Sequence, residues 1–555
     1  MSTIFGLFLL CLLFLLFILF LAIILYLIWA LSTGRSPFAP TKYPPREFYV
    51  QNQIILTGPG VVLDRLAAQL SSSLLVSLVR LDRLPFSELG EGVGGCPGLP
   101  APAEGLVIDL YQIGGLFSNV ARAIRRINRV LGDQAAIRRI NRVLGDQAGV
   151  VIKDPNWLTG QPFDPEGSPF DPEGSPFEPA GSPFDPEGSL IGGDTVLADS
   201  ADFMAQWAFR VIDLAAGRFK AEGVRVGIFD SSPFGNVPSD TLVHKVISMQ
   251  GMPVNKLGEF SLDVLHPTPS ARPAASGRRN IDVRNHGFFI AGLIHAVAPQ
   301  SQLRLVRVLE NDNRGDLFTL LKAIFNFLKE NQSEDLTGQV INLSLGVRLP
   351  PEEAKFGLPA EILSLQYLMS AARCLGAVVA AAAGNDSYKG PLPLPSNLPA
   401  GWPTGLGVAA TNDENQRSCF SNRGRLAAPG GDGRSEKETD HDCKPRNDEC
   451  TDEDFSRAIV GPILRPPYND DNNNGYIFWS GSSFSTPLVS GLAALVMRAG
   501  DGDLSPAEVE NLILCCCTPT GDPYLGAGVI NVKHTLTECM QAKPAEKGRR
   551  PKAAK

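Results

Sequence analysis

The chain of 555 residues has no basic excess: 50 Lys and Arg stand against 58 Asp and Glu, a formal net charge of −8. A nucleic-acid backbone asks for a clustered positive face, so no nucleic-acid partner is expected. The ten cysteines show no zinc-like spacing either. Cys515, Cys516 and Cys517 are adjacent, Cys11 lies in an apolar leader, and only Cys443 and Cys450 stand close together in a polar stretch. There a small disulfide and two free thiols are both open readings. Residues 4–31 carry no charge, and at 1.5 Å per residue they would span about 42 Å as a helix, more than a bilayer core needs. A tilted single-pass membrane helix is predicted. A cleavable signal peptide is the rival, but the apolar run is too long and no basic segment precedes it. Arg35, Lys42 and Arg46 all follow the run, which by the positive-inside rule leaves the bulk of the chain in the cytoplasm. With 44% hydrophobic and 19% charged residues, the chain can bury a large core in two or three domains.

From 50 to 157 the pattern reads strand (53–56), helix (61–70), strand (75–81), strand (105–111), helix (from Val120) and strand (149–153). That βαββαβ order predicts a small ferredoxin-like α+β domain, though an unrelated α+β module would show the same order. Residues 123–135 are repeated without change at 136–148. Thirteen residues at about 100° each turn the second copy's apolar side through roughly 220°, so one continuous helix cannot bury both copies. A break at Gly132-Asp133 is expected. Seven-residue units, each with two prolines and a glycine, then fill 161–188. Regular helix or sheet is excluded there, and 158–200 reads as a linker of extended or turn character.

Ser483 stands among small residues in the stretch 480–491, and the apolar run 492–497 behind it reads as a buried helix starting near the serine. A helix N-terminus favours developing negative charge, which suits a nucleophile attacking a carbonyl. Three other stretches fit the same chemistry. Asp230 ends the strand-like run 224–229, His286 opens His286-Gly287-Phe288-Phe289-Ile290-Ala291-Gly292, and Asn385 closes the run 376–385. In this order they resemble the motifs of the subtilisin-like serine proteases: aspartate, histidine, oxyanion asparagine, serine. The resemblance implies a subtilisin-like α/β catalytic domain over 201–540, a mostly parallel sheet with helices on both faces, acting on polypeptide substrates without a required cofactor. It implies Asp230, His286 and Ser483 as the catalytic triad and Asn385 as the oxyanion donor. Ser344, Leu345 and Gly346 would lie on the substrate-binding strand, and with Ala382 and Gly384 they would wall the first specificity pocket. The domain at 50–157 then resembles the family's propeptide, an inhibitor of its own enzyme.

Ser232 and Pro233 replace a usual glycine, Phe288-Phe289 replace a polar pair, and Leu488 stands where a histidine often follows. None of these removes a catalytic atom. An esterase with a Gly-x-Ser-x-Gly elbow is excluded because Ser485 occupies the last position. The remaining alternative is a catalytically silent, membrane-tethered binding protein of the same fold. Residues 432–454 hold ten acidic and four basic residues, a net excess of six negative charges within a long insertion at 431–479, read as a solvated loop. Asp470, Asn472, Asn474 and Gly475 fit the opening of a calcium loop, but Gly481 stands where the bidentate glutamate is needed. Ser505 and Glu508 form a capping box, and the tail 541–555 is basic and expected to be unstructured.

Overall fold

The computed structural model describes residues 49–71, 76–99, 105–115, 120, 123–127, 151–159, 203–215, 218–249, 259–269, 283–311, 314–347, 362–389, 392–432, 458–464 and 474–541. The apolar run 4–31, the second repeat copy, the linker repeats, Cys443, Cys450, Asp470, Asn472 and the basic tail beyond 541 lie outside the described residues. Among the described residues no helix is long and apolar enough to cross a membrane. The chain divides into two compact units, the smaller made of 1–95, 100–157 and 349–364 and the larger of the rest.

In the smaller unit β1 (Tyr49–Pro59) is followed by α1 (Gly60–Leu70), β2 (Ser77–Pro85), β3 (Leu106–Gly114), helical residues at 120 and 123–127, and β4 (Ile152–Thr159). The strands lie in the order β2-β3-β1-β4 with every neighbouring pair antiparallel. Val62, Leu63, Leu66 and Leu70 form the buried stripe of α1, the spacing that a helix lying on a sheet requires. The last strand starts later and runs further than 149–153. It continues through Pro155, which an edge strand of this unit tolerates because a missing N–H costs little there.

The larger unit holds an eight-stranded sheet in the order β13-β12-β11-β10-β5-β8-β7-β6. Its strands are β5 (Val224–Asp230), β6 (Leu242–Ser248), β7 (Glu259–Leu265), β8 (Gln302–Arg307), β10 (Gly338–Leu343), β11 (Ala377–Ala382), β12 (Leu406–Thr411) and β13 (Leu426–Pro429). All pairs are parallel except the edge pair β6–β7. Every residue of β5, β11 and β12 is buried, as continuous apolar strands in a covered parallel sheet must be. The two-residue strand β9 (Gly315–Asp316) pairs antiparallel with Leu158 and Thr159, which belong to this unit. Helices α2 (His286–Val297), α3 (Leu317–Asn331), α4 (Leu363–Cys374), α5 (Ser482–Ala499) and α6 (Pro506–Cys515) complete it. The capping box at Ser505 and Glu508 is formed.

One expectation changes. The insertion before Ser483 is not a solvated loop throughout: β14 (Ile459–Leu464) and β15 (Asn474–Trp479) form a buried antiparallel hairpin, because both segments are apolar enough to join the core. Gly475 pairs with Ile463 inside that hairpin, so it is a strand residue and not the turn glycine of a calcium loop. The Cys443–Cys450 reading lies outside the described residues, and the described cysteines pair elsewhere. Cys96 is bonded to Cys374 and Cys516 to Cys539, Cys419 is oxidised too, and Cys515 and Cys517 are free. A bond 278 residues apart in sequence leaves no spacing to read.

Candidate active site

Asp230 is the last residue of β5, which lies between β8 on one side and β10 on the other, the later strands β10 to β13 extending the sheet on the side away from β6, β7 and β8. Such a switch point at the carboxyl ends of parallel strands opens a crevice that side chains and ligands can enter. Ser344 follows β10, and Gly384 and Asn385 follow β11, so all three strand exits face the same edge.

The Asp230 carboxylate is fully buried. Its Oδ1 accepts from the Ser231 N–H at 2.7 Å and from the Ser231 hydroxyl at 3.2 Å, and it lies 2.9 Å from His286 Nδ1. With Nδ1 committed as the donor, Nε2 is the basic nitrogen of the neutral ring. His286 is the first residue of α2. Gly287 lets that helix start against β5, since a Cβ there would lie 2.3 Å from the Ser231 carbonyl oxygen and 2.9 Å from the Asp230 Cβ. Asn285 fixes the helix start from the other side: its amide donates to the Leu464 carbonyl at 3.0 Å and accepts from the Leu464 N–H at 2.8 Å. The hairpin misread as loop therefore anchors the residue beside the histidine.

Ser483 is the second residue of α5 and is 3% exposed. Pro487 has no N–H to give the Ser483 carbonyl four residues back. The Ser344 hydroxyl donates to that carbonyl instead, at 2.8 Å, while the Ser483 hydroxyl donates to the Ser344 carbonyl at 3.3 Å. Among the described residues the Asp230–His286 bond is formed and Ser483 is turned toward Ser344 rather than hydrogen-bonded to His286. Asn385 Oδ1 accepts from the Ser482 N–H at 2.9 Å, a bond that does not use its amide nitrogen. The Ser482 hydroxyl accepts from the Gly384 N–H at 3.1 Å, so the strand exit and the helix start are stitched together.

Of the pocket residues, Ser344, Leu345, Gly346, Ala382 and Gly384 are all buried. Gly384 has φ +110°, and a Cβ there would come within 2.4 Å of the amide nitrogens of Asn397 and Asn422. Asn397 also lies 3.3 Å from a Cβ built on Gly346, and the adjoining Leu398 carbonyl accepts from the Val347 N–H at 2.8 Å. Asn397 thus stands beside both Gly346 and Gly384, and nothing in its sequence surroundings marks it. The aromatic enclosure of His286 was also missed. Its ring centroid is 5.4 Å from Trp479 and 5.1 Å from Phe484, and Phe289 packs 4.5 Å from Phe484. Gly461 makes room for Phe289, since a Cβ there would lie 2.5 Å from its ring. The unusual Phe288-Phe289 pair and Phe484 were visible signals, but only the fold shows what they touch. No group of three or more metal-ligating side chains occurs among the described residues.

Residues 267–525 match the family model described as the Subtilase family, Peptidase S8. The stretch includes His286, Asn385 and Ser483 and begins after Asp230. The chain is 28% identical over 293 residues to Subtilisin of Bacillus pumilus, a match covering 50% of this chain and 87% of that protein. It is 27% identical over 293 residues to Subtilisin E of Bacillus subtilis, covering 50% of this chain and 63% of that one. A solved protease domain of PatA covers 59% of this chain and 99% of its own, with 23% identity and a TM-score of 0.39. The chain spans less than two thirds of several of the curated relatives it matches.

Proposed function

We propose, for a chain that carries a subtilase domain of the serine-type endopeptidase class, that Ser483 is the nucleophile of a peptide-bond hydrolase. Ser483 Oγ attacks the substrate carbonyl while His286 Nε2 takes its proton, and Asp230 fixes the tautomer and steadies the imidazolium. The Ser483 N–H at the start of α5 and the Asn385 amide stabilise the oxyanion. An acyl-enzyme forms and the leaving amine departs with the proton from His286. Water, activated by the same histidine, then completes hydrolysis. The observation that carries this reading is the buried Asp230–His286 bond at 2.9 Å at the sheet's switch point. This reading requires the Ser483 hydroxyl to turn from the Ser344 carbonyl toward His286, and no cofactor enters any step.

The finer assignments rest on sequence and local geometry. The β2-β3-β1-β4 order with all-antiparallel pairing supports reading the smaller unit as a ferredoxin-like propeptide domain. The pairing of Leu158 and Thr159 with Gly315 and Asp316 supports an extended chain being accepted by strand addition in the larger unit. The uncharged run 4–31 is assigned as a membrane anchor. The disulfides favour an oxidising side for the catalytic domain, against the flanking charges. A fluorophosphonate probe should label the folded chain at Ser483 and leave Ser483→Ala unlabelled. Equal labelling of both, or of neither, would sink the protease reading and leave the silent binding protein.

A further inference from the structure

The chain passes between its two units more than once. Residues up to 95 belong to the smaller unit, Cys96–Leu99 to the larger, residues 100–157 to the smaller again, and Leu158 onward mostly to the larger. The short excursion is a turn, with the Leu99 N–H donating to the Cys96 carbonyl at 3.2 Å. It is seated on α4 within the larger unit. Cys96 is bonded to Cys374, and Gly98, at φ +88°, would bring a Cβ within 3.3 Å of the Ser370 hydroxyl. Ser370 and Cys374 are one turn apart on the same face of α4. Cys96 is 6% exposed, while Cys374 is exposed.

We propose that the Cys96–Cys374 bond is a retaining tether. It keeps everything N-terminal to a cut in the linker covalently attached to the catalytic domain until a thiol reductant releases it. The two cysteines flank the whole of 158–200 in sequence, so hydrolysis of any peptide bond there produces two polypeptides that share this disulfide. The Cys516–Cys539 bond lies wholly on the C-terminal side and retains nothing. Self-cleavage therefore does not by itself free the enzyme from its N-terminal segments. Release takes two equivalents of a small thiol. The first, as thiolate, attacks the sulfur of Cys374, an exposed residue, and expels the Cys96 thiolate, which takes up a proton. The second resolves the mixed disulfide, leaving two protein thiols and one oxidised reductant.

The inference draws on the proposed protease activity only for the physiological cut, so the test supplies its own. A thrombin recognition sequence is placed within 161–188 of the full-length chain carrying Ser483→Ala and Cys11→Ser, which leaves Cys96 as the only cysteine N-terminal to the cut, and free thiols are capped with N-ethylmaleimide before cleavage. Denaturing electrophoresis without reductant is expected to show the cut chain at the full mass of about 60 kDa, and dithiothreitol to split it into two bands. With Cys374→Ser added, the cut chain is expected to separate without any reductant. Separation of the parent without reductant would overturn the tether, and so would retention of the Cys374→Ser chain. Neither outcome touches the reading of Ser483, which the fluorophosphonate label tests on its own.

Discussion

Two fully buried carboxylates, Asp230 in the larger unit and Asp154 in the smaller, have different hydrogen-bonding surroundings. Asp230 Oδ1 has two hydrogen-bond donors from Ser231 and the imidazole of His286 around it. Asp154 sits on an edge strand, its Oδ2 accepts from the Ser364 N–H at 2.9 Å, and its Oδ1 has no hydrogen-bond partner. Burial pushes Asp154 up to about 6, against the pull of hydrogen bonding from Ser364. The lesson is that depth alone does not make a working carboxylate. At Asp154 burial outweighs the hydrogen bonding from Ser364, and the carboxyl becomes a pH-dependent burden.

Replacing Asp230 by Asn is the largest way to break the contrast. The amide keeps the volume but permits the wrong imidazole tautomer, so kcat with a peptide substrate should fall roughly 10⁴-fold while the circular dichroism spectrum stays unchanged. A loss below about tenfold would show that His286 is oriented by its aromatic enclosure and not by Asp230.

Asp154→Asn works in the other direction and more weakly. A carboxylate whose folded pKa is raised stabilises the protein fully only below its unfolded value, and that stability is lost as pH rises through the folded value near 6. Asparagine keeps the acceptor for Ser364 without the charge. At pH 7 the Ser483→Ala chain should gain about 2–3 kcal/mol from the added substitution, and at pH 4 close to nothing. Urea midpoints at the two pH values check this, and an equal effect at both would remove the titration from the account.

Much of the larger unit could be read from sequence. Continuous apolar runs such as 377–382 fit covered parallel strands, and each candidate side chain sits at a strand exit or helix start. Asp230, His286, Asn385 and Ser483 were singled out by the order of their motifs, and the structure places Asp230 and Asn385 at or just beyond the carboxyl ends of parallel strands and His286 and Ser483 at helix starts. Asn397, Trp479 and the Asn285–Leu464 clamp were not legible. Each acts through a partner far away in sequence, and a polar or aromatic residue carries no local sign of the neighbour it will meet. The hairpin of 459–464 and 474–479 was lost for a related reason: its charged and asparagine-rich surroundings masked two short apolar segments whose pairing is wholly tertiary.

His266 sharpens the comparison by the smallest of these effects. It is buried in the larger unit, with Nε2 at 2.9 Å from the Ser232 hydroxyl, two residues beyond Asp230. Burial, and to a lesser degree the Arg307 guanidinium, pulls its pKa down to about 4. For a group whose folded pKa is lowered, stability is present above the unfolded value near 6.5 and is lost as pH falls toward 4. The side chain keeps some contact with solvent, so the loss is discounted to about 1–2 kcal/mol. Acidification between pH 6.5 and 4 should thus weaken the larger unit through His266 and strengthen the smaller through Asp154. His266→Gln, which retains a hydrogen-bonding group toward Ser232, should flatten only the larger unit's response, followed by hydrogen exchange at the amides of β5 and β8. If those amides open equally with acid in both proteins, the acid sensitivity belongs to another group, and the opposition between the units then rests on Asp154 alone.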